Sequence, residues 1–141
     1  MSLYAESSAV LAWLMGEPRS GEIREHLAEA DIVLASDLTL VECERVLIRL
    51  VASGRIAEAA AADRRGALAK AAGHWAVLTL EEEIVRRARQ PFPREPIRTL
   101  DALHLSAALR ARTLVPGTRL LSLDDRLRAS GEGLGFELVP A

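Results

Sequence analysis

"SLYAESSAVLAWL" (residues 2–14) joins a short strand to an apolar helix and sets one carboxylate, Glu6, at the joint. Helix capping does not require an acid there, because Ser7 or Ser8 could supply the capping oxygen. If other acids stand at comparable joints, Glu6 belongs to a site rather than to a helix end.

Outward from this joint the alternation continues. A helix is expected over 8–15, stopped by Gly16 and Pro18, and another near 20–30 with Ile23 and Leu27 on one side. "DIVLAS" (31–36) reads as a strand, and helices follow at 38–52 and 56–72, ending near Gly54 and Gly73. "WAVLTL" (75–80) reads as a strand and 81–89 as a helix, while no helix crosses the proline-rich "QPFPREPI" (90–97). A helix at 100–111, the strand "TRLLSL" (118–123), a helix at 124–132 and the strand "FELV" (136–139) complete the chain. Short apolar strands between helices predict α/β units around a mostly parallel sheet. Functional sites of such sheets gather at the carboxyl ends of the strands.

The bulk properties fit one domain over 1–141: 141 residues, half of them apolar, with a net charge of −2. That charge gives no global attraction to nucleic acid or anionic membranes, though it leaves room for a local basic groove. Lys70 is the only lysine, so the basic residues are nearly all arginine. Cys43 is the only cysteine, which excludes an internal disulfide and a thiolate zinc cluster. No secretory leader is evident, and no run approaches the roughly 18 apolar residues of a membrane span, so a soluble cytoplasmic protein is expected.

Four acids occupy suggestive places. Glu6 ends the first strand. Glu42, in "SDLTLVECERVLIRL", shares a helical stripe with Leu38 and Val46, flanked by Arg45 and Arg49. Asp101, in "IRTLDALHLSAAL", lies in a first helical turn with Thr99 as the expected N-cap, one turn from Leu105. Asp124 comes straight off "RLLSL"; Asp124 or Asp125 caps the next helix, and Asp124 is the better placed to face a site. Singly, each acid suits a helix dipole or a surface ion pair. Together, converging carboxylates repel unless protonated or bound to a cation. A hard divalent ion such as Mg²⁺ meets that need, and it can activate water against a phosphodiester.

At this point the chain resembles the PIN domain family and, within it, the VapC-type toxin ribonucleases. The resemblance runs from "LYAESSAVLAWL" through "LTLVECERVLIRL" and "RTLDALHLSAAL" to "LLSLDDRL" and "LGFELV". It implies a three-layer α/β/α fold, Mg²⁺- or Mn²⁺-dependent endoribonuclease activity on RNA, a homodimer and a small antitoxin partner. By the same resemblance Glu6, Glu42, Asp101 and Asp124 are the acidic catalytic residues, with Glu6, Asp101 and Asp124 as metal ligands. Ser8 matches a hydroxyl position beside the first acid. One departure is visible: the family pattern ends strand one on Asp, and Glu6 adds about 1.5 Å of reach at equal charge.

His104, one turn from Asp101, is expected either as a buried structural residue or as an accessory group that touches phosphate or holds Asp101. Trp13 and Trp75 read as core or interface, and Arg94, Arg98, Arg110 and Arg112 as candidates to line an RNA path or a solvated face. Leu40, Leu47, Leu50, Ile56 and Leu68 suggest an apolar dimer surface. A receiver domain is excluded because Lys70 precedes the third strand, and no glycine-rich phosphate loop is present. The rival reading is a PIN-like module that binds RNA or protein with weakened catalysis.

Overall fold

A computed structural model describes residues 1–141. The elements are β1 (Ser2–Ala5), α1 (Ser7–Leu14), α2 (Ser20–Glu29), β2 (Ile32–Ser36), α3 (Asp37–Ala52), α4 (Glu58–Ala72), β3 (Ala76–Leu78), α5 (Glu82–Ala88), α6 (Thr99–Leu114), β4 (Arg119–Leu121), α7 (Asp125–Gly133) and β5 (Leu138–Val139). The strands form one sheet in the order β3-β2-β1-β4-β5. Every pairing is parallel, with Leu3 opposite Val33 on one side and Arg119 on the other.

Successive strand residues point to opposite faces. Leu3, Ala5, Val33 and Leu121 therefore join Ala9, Val10, Ile23, Cys43 and Leu68, from α1 to α4, in one buried cluster. Tyr4, Leu34 and Leu120 face the other way and pack with Ile84 of α5, Ala107, Ala108 and Ala111 of α6, and Phe136. The fold is thus the expected three-layer α/β/α sandwich. Trp13 and Trp75 are partly buried and pack at the margin of the first cluster.

The chain adds β2 and β3 on one side of β1, then returns to place β4 and β5 on the other. The direction of winding reverses between β1 and β4, and their carboxyl ends flank a crevice where α/β sheets bind ligands. On the far side of β4, α7 lies very close: a Cβ on Gly131 would stand 2.4 Å from Leu120 Cδ2.

Some expectations need correction. Thr99 is not the N-cap of α6; Arg98 is, with extended backbone and no side-chain cap. The third strand is shorter than 75–80, because the Trp75 N–H closes a turn onto Ala72 and the Glu81 N–H closes another onto Thr79. Among the apolar residues assigned to a dimer face, Leu47 and Leu68 are fully used inside the monomer, while Val41 and Ile48 are the ones exposed on α3. No helix is long and apolar enough to cross a membrane.

Candidate active site

β1 ends at Ala5, and Glu6 follows as the N-cap residue of α1, its backbone extended and its N–H donating to Leu121 of β4 at 3.0 Å. The side chain is buried, with 7% of the residue exposed. Its Oε2 accepts hydrogen bonds from Ser8 Oγ and from Ser122 Oγ, the latter at 2.7 Å. Burial pushes the Glu6 carboxyl above its ordinary pKa; the His104 charge and the two hydroxyls oppose the shift without cancelling it. Ser122 follows β4 as Glu6 follows β1, so the two strand ends meet through their first residues beyond the sheet.

Glu42 projects from α3. Its Oε1 accepts from Ser7 Oγ at 2.9 Å and from His104 Nε2. His104, on α6, is 2% exposed. Its Nδ1 lies 3.3 Å from the Tyr4 hydroxyl, which pairs in turn with Ser36 Oγ at 2.9 Å. Nε2–H donates to Glu42, and the Tyr4 hydroxyl lies between Nδ1 and Ser36 Oγ. Burial pushes the Glu42 carboxyl up, but the hydrogen bond and charge of His104 and the Ser7 bond outweigh it and hold the group below its ordinary pKa. Since α3 and α6 cover opposite faces of the sheet, this pair ties the two helical layers together past the strand ends.

Asp124 is the N-cap of α7, its Oδ1 accepting from the Leu127 N–H at 2.9 Å. The Asp124 N–H donates to Ser122 Oγ at 3.1 Å and the Leu123 N–H to Ser8 Oγ at 2.9 Å, so the serines that hold Glu6 also hold the chain entering α7. Asp101, in the first turn of α6, has Oδ2 3.6 Å from Arg98 Nε.

All four acids line one cleft of about 460 Å³, together with Ser7, Ser8 and Arg98. In each, one oxygen faces a protein partner, and the other takes no side-chain hydrogen bond and is not sealed from solvent. Such hard, unpartnered carboxylate oxygens suit Mg²⁺ or Mn²⁺ by donor chemistry. The side chains as placed do not bring three His, Cys, Asp or Glu groups close enough to hold an ion.

Several accessory expectations change. Of the two expectations for His104 the structure shows the buried residue: it bonds Glu42 and Tyr4, and it makes no hydrogen bond to Asp101. Arg45 and Arg49 flank Glu42 without bonding it. Arg110 is engaged by Glu81 and Glu83, and Arg112 stacks over Phe136, whereas Arg94 and Arg98 line an open pocket beside Asp101. Sequence reasoning missed Ser7 and Ser122 as partners of these acids, and Tyr4 as a partner of His104. Ser122 had a usable signal, as the first residue after a strand; Tyr4 had none, because a tyrosine within an apolar strand reads as core.

A family model for the PIN domain matches residues 3–132. Ribonuclease VapC46 of Mycobacterium tuberculosis is 32% identical over 138 residues, which cover 98% of this chain and 96% of that protein. Among solved structures, VapBC2 from Rickettsia felis bound to a DNA fragment from its promoter aligns with a TM-score of 0.67 at 11% identity, over 98% of this chain and 97% of that one. VapC20 of M. tuberculosis, described as a sarcin–ricin loop cleaving toxin, aligns with a TM-score of 0.64 at 17% identity, over 92% and 95%. At these identities the two structures speak for the fold alone.

Proposed function

The chain belongs to the PIN domain family, and on that premise we propose that it is a Mg²⁺- or Mn²⁺-dependent endoribonuclease, the toxin of a toxin–antitoxin pair, working in the cytoplasm as a homodimer. The observation that carries the reading is the cleft itself, lined by four carboxylates from the end of β1, from α3, from α6 and from the start of α7. The similarity to ribonuclease VapC46 over nearly both full chains supports the choice of RNA as substrate. Solved relatives that pair a toxin with an antitoxin support a small antitoxin as partner.

Glu6, Asp101 and Asp124 would hold the cation. When bound, it would supply a Lewis acid that activates water and neutralises charge growing on the phosphodiester. The protein's own residues do the positioning. Ser8 and Ser122 fix one oxygen of Glu6 and leave Oε1 open to the cleft. Asp124 is anchored by the helix it caps. Glu42, held ionised by His104 and Ser7, has Oε2 free to accept a proton from an attacking water.

A catalytically weakened binding module is a second reading. It draws on the carboxylates standing short of an ion cluster and on the longer Glu6 side chain. The deciding assay is cleavage of a structured RNA by the purified chain, free of antitoxin, with Mn²⁺ or Mg²⁺ against a chelator. Wild type cleaves only with metal. Asp101→Asn loses at least a hundredfold, roughly 3 kcal/mol of transition-state stabilisation, and Glu6→Asp keeps or raises the rate. Undiminished cleavage by Asp101→Asn removes Asp101 from the mechanism. A silent wild type rescued by Glu6→Asp establishes the binding module instead.

A further inference from the structure

Beside the acidic cleft, and continuous with it through Arg98 and Asp101, lies a second depression of about 440 Å³ walled by Arg94, Arg98, Arg126 and Ser130. Three guanidinium groups thus share a pocket whose only carboxylate is Asp101. Glu95, next to Arg94 in the chain, pairs with none of them: it turns its oxygens back onto the Phe92 and Ile97 N–H groups, at 2.8 Å each. Arg94 is braced, donating to the Ala129 carbonyl at 3.1 Å while its side chain lies over Gly133, where a Cβ would meet Nε at 3.3 Å. Arg126 is exposed and makes no ion pair or hydrogen bond, and Arg98 only the 3.6 Å approach to Asp101.

Three arginines with Asp101 as their one carboxylate neighbour in the pocket, beside a carboxylate-lined cleft, suit a phosphate group, which arginine grips in two-pronged fashion. Resting on the nuclease reading, we propose that this pocket is a phosphate subsite. It holds the backbone of a single RNA strand one step along from the phosphodiester in the cleft, and Arg94 and Arg126 are its positioning residues. The four carboxylates repel a polyanion, so the subsite supplies the attraction that the cleft itself lacks. It contacts no base, and it therefore raises affinity for RNA of any sequence.

The test is binding of a fluorescein-labelled twelve-nucleotide RNA of mixed sequence, in chelator so that no cleavage occurs, across a salt series. Arg126→Ala, which removes no internal contact, and the Arg94→Ala/Arg126→Ala double variant should weaken binding, the double variant by about tenfold. The double variant should also flatten the salt dependence by about 0.7 in log–log slope, the value for one lost phosphate on a single strand. Arg126→Lys should recover only part of the affinity, Arg55→Ala, in the exposed turn after α3 and outside both pockets, should match wild type, and cleavage assays should show the loss in KM with kcat little changed. Wild-type affinity and slope in both alanine variants, with the melting temperature intact, overturn the subsite while leaving the nuclease reading standing. RNA binding that depends on these arginines in a protein that never cleaves overturns the nuclease and keeps the subsite. Failure to bind the RNA, or equal arginine-dependent binding of a polyglutamate peptide, overturns the subsite in favour of an acidic protein partner.

Discussion

Glu6 and Glu42 open onto the same cleft, yet the neighbourhoods at the end of β1 and on α3 treat their carboxyls differently. At the end of β1 the acid is almost fully enclosed and meets two neutral hydroxyls, so burial prevails and its proton is held more tightly. On α3 the acid is half-buried and meets a histidine as well as a hydroxyl, so its ionised form prevails. Depth and partner together decide which form an enclosed carboxyl takes: burial is the largest cause at both, and only at Glu42 do the bonds of His104 and Ser7 outweigh it. The folded protein carries strain at one glutamate and support at the other before any ligand arrives.

The sharpest way to break this contrast is to remove the partner. His104→Ala should lower stability by about 2–3 kcal/mol, below the roughly 3–5 kcal/mol of a fully buried pair because Glu42 retains 31% side-chain exposure. Urea unfolding should show a lower midpoint at an unchanged slope. A loss under half a kcal/mol would mean that the imidazole only fills space.

Glu42→Gln in metal-free buffer should destabilise by roughly 1–2 kcal/mol at neutral pH, the scale of hydrogen bonds to a charged group. The folded pKa of Glu42 lies below its unfolded value of 4.5, so its stabilisation is present above pH 4.5 and is lost as pH falls through the folded pKa. The gap between wild type and variant should therefore close on acidification.

Glu6→Gln should act in the opposite sense and to a smaller extent, raising stability by about 1 kcal/mol at neutral pH, a few degrees in melting temperature. Its folded pKa lies above 4.5, so the favourable protonated form is fully present below pH 4.5 and stability declines as pH rises through the folded pKa. The advantage of the glutamine variant should vanish in acid. If both glutamine variants shift stability in the same direction at pH 7, the contrast is wrong.

Much of this arrangement was legible beforehand, for a physical reason: a strand that must stop at a sheet edge exposes whichever residue follows it. Glu6 could be found from that rule, Asp124 as the cap of the helix after β4, and Asp101 from its place in a first helical turn; the strand before Asp124 stops at Leu121, so Ser122 takes the place that spacing gives to Asp124. What sequence spacing could not show is contact between residues far apart in the chain. Glu42 on its stripe looked ready to pair with Arg45 or Arg49 one turn away, but its partner came from the opposite layer, 62 positions along. Thr99 looked like a cap, yet α6 begins one residue earlier in register, because Arg98 already holds the extended backbone of an N-cap. The apolar count on α3 and α4 overstated the surplus, since Leu47 and Leu68 are consumed by a core that also draws on α1 and α2.

Gly131 lies seven positions along α7 from Asp124, about 10 Å at the rise of a helix. It rests against Leu120, which is fully buried and has little room to swing. Any larger side chain there would turn Leu120 into a fulcrum and α7 into a lever whose long arm carries Asp124 and Arg126. Both the acidic cleft and the arginine pocket are thus trimmed by a position that borders neither. The missing side chain of Gly131 works as a set-screw, through which drift in a silent part of the molecule could retune the aim of its charged end without touching a single charge.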